Sequence, residues 1–569
     1  MGQSASSEPE RTSYSKTVTN EELLSLFSKA CRRQFKPIEL LSIQKNMKAH
    51  DKDKNELISE MEFQELLHLP TNRPRLLHLL YNTVKALSNF PLMNHDISGI
   101  NFDGLLNSMV LLNTDRYGKI LKKEFDYLKL IFLAISIESA SKFIEKFENQ
   151  PDTQTISYSG TNVISWTDTD AVKTFDNIDI SEIYIEAEDL LEIITFLLII
   201  TRLEPQESLD IYKSHFEKYE SYEKHALSIL RSMNPNISSK YISNQRVKFD
   251  QFQKTMLYIT PNLLQPLSSL LEILLFEPIT DPKEFENQVE KKQVKTTSKL
   301  INDEFLSQLA TVLPKEVVYS KIRKLYVGSD SGFSMRSFES KVFKWNAPTI
   351  LLIRGGRVNN DKTKNPRFKN FEEDFSFAKK ELTTSQKNGG KELIYGVYIS
   401  QPWKITNKDS FGDSQTTIFQ LSPIQKIFKP SISAKNFIYF NTIGGGLGFG
   451  SRQPTLKNNI KRYNPGNVSL TIDSTLEFAV FRNLGLGGEF KSIDDEDLLE
   501  EYEDVFQIRD VEVWGCGGAK ELEEQNKRWE WEQQEAQRRQ GVNLKSIGED
   551  RALLEMAGLV GQHQTGGSV

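Results

Sequence analysis

Apolar positions in the first half of the chain recur at helical spacing. Leu23, Leu24 and Phe27, and again Leu76, Leu77 and Leu80, are three and four residues apart, which gathers them on one face of an α-helix. Residues 20–276 therefore read as a mostly α-helical unit. The most apolar run, residues 190–203 (LLEIITFLLIITRL), contains Glu192 and Arg202 and falls short of the roughly 20 residues a bilayer requires. It reads as a buried core helix, and residues 127–137 as a shorter one of the same kind. Residues 277–298 combine two prolines with many charges and little apolar periodicity, which predicts a linker.

Beyond residue 299 the pattern changes to short apolar runs rich in β-branched and aromatic residues, at 349–353, 394–399, 417–421, 437–440, 470–472, 478–481 and 511–514. Gly, Pro, Asn and Asp punctuate them, as expected of antiparallel strands rather than βαβ units. A short helix is predicted near 303–310. Two charged insertions, 357–391 and 492–504, read as mobile loops.

The length of 569 residues has room for three to four domain-sized units. Lysine plus arginine (71) nearly balances aspartate plus glutamate (77), so the net charge of −6 gives no global electrostatic pull toward nucleic acid or anionic lipid and disfavours wholesale polyanion binding. Two cysteines, Cys31 and Cys516, cannot staple a secreted scaffold, which favours a reducing compartment.

Candidate chemistry begins at the leader, residues 1–19, expected to be flexible. MGQSAS places Gly2 and Ser6 in the M-G-x-x-x-[ST] pattern of N-myristoylation. One acyl chain holds a protein only weakly on a membrane. With neither a basic cluster nor a cysteine beside Gly2, the second anchor is expected to be a membrane-bound protein.

Residues 51–62 (DKDKNELISEME) put Asp51, Asp53, Asn55, Ser59 and Glu62 at positions 1, 3, 5, 9 and 12 of an EF-hand calcium loop, with Ile58 at apolar position 8. Position 6 is Glu56 where the turn wants glycine, because a left-handed backbone costs a Cβ-bearing residue roughly 1–2 kcal/mol. Residues 113–124 (NTDRYGKILKKE) keep Gly118 but offer Tyr117 at position 5. These faults favour EF-hand-like scaffolding over a working calcium site, and calcium is the one cofactor the sequence suggests. Segments near 100–106 and 247–252 look like exit segments of further, ligand-free hands.

GGGLGFG, residues 444–450, lacks both the lysine of a P-loop and a following helix. Gly444, Gly445, Gly446, Gly448 and Gly450 therefore read as tight turns and close strand packing. Glu512 and Trp514 join them as structural positions in the closing strand. Residues 300–518 contain no histidine, which excludes a Ser-His-Asp or Cys-His arrangement within that unit. Cys516 is its only cysteine and reads as structural.

The series KLYVGSDSGFSMRSF (324–338), WNAPTILLIRG (345–355), YGVYISQPWK (395–404), FGDSQTTIFQLSP (411–423), FIYFN, GGGLGFG and FQIRDVEVWGCG (506–517) resembles the TLDc domain from end to end. The resemblance implies an α+β fold: a helical EF-hand-like domain, then a two-sheet antiparallel β-sandwich with flanking helices over 299–518. It also implies a non-enzymatic regulator that binds the vacuolar V-ATPase and promotes disassembly of its soluble catalytic sector. Fungal members with this order of parts carry an indirect link to telomere capping. The alternative it implies is protection against peroxide, acting through Cys516. A monomer on the cytosolic face of the vacuolar membrane, with V-ATPase subunits and no nucleic acid as partners, completes the expectation. Residues 519–569 read as a helical tail with Trp529 and Trp531, fit either to grip a partner or to fold back on the sheet domain.

Overall fold

The protein is described from a computed structural model over residues 14–52, 54–93, 98–121, 125–136, 152–159, 163–238, 241–275, 282–292, 298–319, 322–358, 365–378, 383, 386–387, 390–457, 460–485, 487–492, 501–516, 523–524, 526–527, 530–531, 534–535 and 538. Gly2 and Asp53 lie outside these residues.

Residues 14–19, the end of the leader expected to be flexible, form a strand. Tyr14–Thr19 (β1) pairs antiparallel with Thr153–Ser159 (β2), which pairs with Val163–Ile164 (β3). Thr17, Val18 and Thr19 are β-branched, and Val18 and Ile156 are buried, so this short sheet shares the helical core. Thr19 then opens the first helix, Asn20–Arg32, with a capping box. Its hydroxyl accepts from Glu22 N–H, and the Glu22 carboxylate accepts from Thr19 N–H.

The helical half is built from helix–loop–helix units joined back to back. Helices Pro37–His50 and Glu60–Leu67 flank the loop at 51–59, and Pro74–Ser88 precedes Phe102–Leu112. Between the two units Ile58 N–H donates to Ile100 O at 2.9 Å and Ile100 N–H to Ile58 O at 3.2 Å. A second bridge repeats this arrangement. Tyr184–Glu186 (β4) pairs with Arg246–Lys248 (β5), with Ile185 opposite Val247, and the helices Ala187–Ile199 and Phe249–Lys254 leave directly from them. The run around residue 190 is the buried helix expected of it.

Two expectations fail in this half. Residues 114–120, the middle of the second candidate calcium loop, form a helix capped by the Asn113 side chain. Tyr117 is buried within it and donates to Phe125 O, so helix propensity and aromatic burial replace the loop. The predicted linker contains the helix Pro282–Lys292, whose Phe285 and Val289, four residues apart, pack on the helical core.

Among the described residues the second half is one curled antiparallel sheet of eleven strands: Arg323–Val327 (β6), Thr349–Arg357 (β7), Glu392–Ile399 (β8), Thr417–Ser422 (β9), Lys426–Pro430 (β10), Ile438–Asn441 (β11), Gly446–Phe449 (β12), Val468–Ile472 (β15), Phe478–Asn483 (β16), Phe490–Ser492 (β17) and Tyr502–Gly515 (β18). A separate hairpin, Arg452–Lys457 (β13) with Ile460–Asn464 (β14), interrupts it. The order β11-β12-β15-β16-β18-β7-β8-β9-β10-β17 is hydrogen-bonded throughout, where two separate sheets were expected. The 14-residue β18 is the reason. Along one edge its first half pairs with β16 and its second half with β6, while the other edge pairs with β7, so the strand joins what would be two layers.

Apolar alternation explains both faces of this sheet. Leu351 and Ile353 of β7 enter the enclosed core with Val397, Ile418, Phe428, Leu470 and Phe481. Ile350 and Leu352 face outward beneath Phe305, Leu306 and Leu309 of the helix Asp303–Ala310, together with Trp514. The insertion at 357–391 is not simply a mobile loop. Its helix Pro366–Asp374 sinks Phe368 and Phe371 against Phe478, Val480 and Tyr463.

Candidate functional site

Two described residues of the segment 51–62 have a left-handed backbone. Glu56 adopts φ +62° and Lys54 φ +53°, so the position that prefers glycine is left-handed with a glutamate in it. The Asp51 carboxylate accepts from Asn55 N–H at 3.3 Å and Glu56 N–H at 2.9 Å, and Asn55 Oδ1 accepts from Leu57 N–H. Glu62 accepts from Lys52 N–H, Ser59 N–H and Ser59 Oγ at 2.8, 2.8 and 2.7 Å. Burial alone would raise the Glu62 carboxyl, but the bonds from Ser59 and Lys52 outweigh it and hold it below the usual carboxylate range.

These oxygens satisfy the loop's own backbone. Among the described residues no group of three His, Cys, Asp or Glu side chains converges on a point that could hold a metal. Asp51, Asn55 and Glu62 are engaged by the loop's own donors.

The glycine-rich segment ends the turn after β11 and continues as β12. Gly444, Gly446 and Gly450 have φ of +90°, +69° and +70°. A Cβ on Gly448 would lie 2.1 Å from the Tyr439 ring, and one on Gly446 2.2 Å from Ile472 O, so the backbone itself is packed against its neighbours. A Cβ on Gly445 would meet Pro454 and Asn441. The chain then enters β13 rather than a helix, leaving no helix N-terminus for a phosphate.

Glu512 is fully buried on β18 and binds the start of the sheet half. Its carboxylate accepts from Ser298 Oγ at 2.6 Å, Lys299 N–H at 3.1 Å, Leu300 N–H at 3.2 Å and Trp514 Nε1–H at 2.9 Å. Four donors on one carboxylate clamp the incoming chain to the strand and fix the indole. Cys516 is buried beside them, its thiol 3.4 Å from Pro348 O. Cys31, the other thiol, lies in the helical core, where burial pushes it far above its usual range.

A second buried carboxylate was not legible in the sequence. Asp504, taken as the end of an acidic loop, is fully buried and accepts from Arg357 Nε at 2.9 Å, Gln386 Nε2 at 2.7 Å and Tyr395 OH at 2.6 Å. Burial, and then the Asp504 charge, push the Tyr395 hydroxyl well above its ordinary value. Arg354 with Asp510 and Arg482 with Glu503 add two more pairs along β18.

The two halves meet through polar side chains. Gln425, in the turn after β9, donates its N–H to Ser228 O at 3.0 Å and its side-chain amide to Thr311 Oγ1 at 2.9 Å. Gln308 Nε2 donates to Leu421 O and to Gln425 Oε1, both at 2.9 Å, while Gln308 Oε1 lies 2.6 Å from His225 Nδ1. Arg231 Nη1 donates to Pro423 O at 3.2 Å. The helix Tyr219–Met233 is thus joined to the sheet both directly and through Asp303–Ala310.

The described part of the tail is helical, and Arg323 of β6 donates to Asn526 Oδ1 at 2.5 Å. Trp531 is 65% exposed, and Trp529 lies outside the described residues.

Comparison with known proteins places these features in a family. The TLDc domain family model matches residues 294–517. Proteins named Restriction of telomere capping protein 5 from Komagataella phaffii, Saccharomyces cerevisiae and Kluyveromyces lactis are 43%, 42% and 40% identical to the chain, each alignment covering 100% of both sequences.

Proposed function

Because the chain belongs to the family of Restriction of telomere capping protein 5 and carries a TLDc domain, we propose that it is a non-enzymatic regulator that binds the vacuolar V-ATPase and promotes disassembly of its soluble catalytic sector. The observation that carries this reading is the inward orientation of the sheet domain's reactive groups. Glu512 and Asp504 are fully buried and saturated by donors, and Cys516 is buried against a backbone carbonyl. What this domain offers a partner is surface, which suits a binding module. The same burial weighs against the peroxide-protective alternative, since a reactive thiol needs access to its oxidant.

The helical half is read as EF-hand-like scaffolding. The reciprocal Ile58–Ile100 bridge and the Ile185–Val247 pairing support it, because both join two loops at their apolar positions. The link to telomere capping is read as indirect, given the net charge of −6. Myristoylated at Gly2, the monomer would sit on the cytosolic face of the vacuolar membrane, held by its acyl chain and its grip on the pump.

Co-sedimentation with vacuolar membranes tests this. Full chain added to vacuoles bearing assembled V-ATPase should bind them and release the soluble sector into the supernatant. Gly2→Ala should weaken binding without loss of fold, and Cys516→Ala should leave both effects intact. Equal binding to membranes stripped of the pump would defeat the reading.

A further inference from the structure

One end of the curled sheet gathers three chain segments that the strands do not require to meet. The segment after β8 runs along β11, with Thr406 N–H donating to Phe440 O at 2.9 Å. Thr442 N–H, in the β11–β12 turn, donates to Asn407 Oδ1 at 2.9 Å. The β13–β14 hairpin folds back onto both. Gln453 Nε2 donates to Thr406 O and Asp409 O at 2.7 and 2.8 Å, Asn441 Nδ2 donates to Gln453 Oε1, and Lys461 Nζ reaches Gly444 O at 3.3 Å.

Each segment lifts an aliphatic side chain into solvent. Ile405 is 48% exposed, Ile443 64%, Leu456 56% and Ile460 60%. The surrounding charge is biased. Lys404, Lys408 and Arg462 are exposed and make no salt bridge among the described residues, whereas Arg452, also exposed, interacts with Glu489. Of the acids here, Asp374 is held by Lys461 at 3.0 Å, its helix neighbours Glu372 and Glu373 are exposed, and Asp409 is the exposed carboxylate of the three segments.

We propose that this end of the TLDc sheet is a docking surface for an anionic lipid bilayer. Its form favours lipid over protein. Protein hot spots are concave and rich in Trp, Tyr and Arg anchors. Here the exposed apolar groups are aliphatic, on a loop, a turn and one hairpin, with cations beside them, which suits shallow insertion among acyl chains under anionic headgroups. A myristoyl chain alone binds only marginally, and the sequence around Gly2 supplies no basic cluster. The sheet supplies a further signal, alongside the grip on the pump, from more than 400 residues downstream of Gly2 in the chain. This inference stands apart from pump binding, since it requires no protein partner.

The test uses the full chain carrying Gly2→Ala, so that no acyl chain contributes, in flotation with vesicles of phosphatidylcholine alone or with phosphatidylserine added. Binding is expected to the mixed vesicles and to fall with added salt. Lys404→Gln/Lys408→Gln/Arg462→Gln should lower the partition coefficient about a hundredfold at low salt. Ile405→Ser/Ile443→Ser/Leu456→Ser/Ile460→Ser should abolish it, while circular dichroism and melting stay unchanged for both variants. Because Cys31 and Cys516 are buried, Ile443→Cys can carry a polarity-sensitive fluorophore, whose emission should shift blue on the mixed vesicles. No binding to them, equal binding to neutral vesicles, binding unmoved by both variants, or an unshifted fluorophore overturns the proposal. So does a surface that captures a vacuolar protein yet ignores lipid.

Discussion

Arg357 of β7 and Asp504 of β18 form an ion pair at 2.8 Å inside the sheet domain, with side-chain exposures of 6% and 0%. They are 147 residues apart in the chain. Gln386 and Tyr395 complete the carboxylate's partners, and Arg357 Nη1 also donates to the Gln386 and Gly390 carbonyls at 3.1 and 3.0 Å. The pair therefore fastens the insertion that follows β7 to the strand that closes the sheet.

Removing one partner should be worse than removing both. Arg357→Met leaves Asp504 charged and dry, and should destabilise the protein by about 3–5 kcal/mol in urea unfolding. The double change Arg357→Met/Asp504→Leu should recover a substantial part of that loss. A double variant as unstable as the sum of the singles would mean that the pair is not coupled.

Glu56 offers the opposite case, a position where substitution should stabilise. At φ +62° a Cβ is strained, and among the described residues the Glu56 side chain makes no hydrogen bond that would compensate. Glu56→Gly relieves the strain but gives the unfolded chain more freedom, for a net gain of about 0.5–1 kcal/mol. Thermal melting of the two proteins side by side measures it, and a loss of stability would show that the loop tolerates the glutamate without strain.

Gly448 should not tolerate even a methyl group. Its Cβ would sit 2.1 Å from Tyr439 Cε1, and the ring is enclosed. Gly448→Ala should cost about 1–3 kcal/mol by overpacking, and Tyr439→Leu in the same chain should restore part of it by vacating the space. Failure of the second change to rescue the first would place the constraint on the backbone instead.

What was legible in the sequence followed local rules. The strands at 349–353 and 394–399 declare themselves by β-branched alternation, and the fault at Glu56 follows from loop spacing alone. The curl does not, because it depends on β18 pairing with β16, β7 and β6, each set by distant residues. Asp504 was misread for the same reason: beside Glu500, Glu501 and Glu503 it looks like solvated charge, and only Arg357 makes it a core residue. Two helices were available locally and missed. Phe368 and Phe371, and Phe285 and Val289, have helical spacing within charged stretches whose composition suggested loops. At the calcium loop the sequence carries both the ligand spacing and the Ser59-x-x-Glu62 signature of a capping box, and the same two residues serve both patterns.

The junction between the halves should weaken as pH falls. His215 and His225 flank the helix Asp303–Ala310, one 3.8 Å from Asp303 and the other bonded to Gln308. Burial lowers the pKa of both below the usual histidine value. Asp303 and Glu304 offset this at His215, and Gln308 and Glu304 at His225, while Lys218 and Lys224 respectively add to the lowering. A histidine whose folded-state pKa is depressed binds more protons unfolded than folded. Its contribution is therefore fully present above the unfolded value of about 6.5, and is lost as pH drops through that value toward the folded one. Denaturant melts from pH 7.5 down to about 5.5 should lose stability progressively, and His225→Gln should flatten the slope. Hydrogen exchange at Gln425 N–H, bonded to Ser228 O, locates the effect, since it should quicken with acid before the amides of β7 do. A pH slope unchanged in His225→Gln, with Gln425 exchanging no sooner than β7, would move the acid-sensitive step away from the junction.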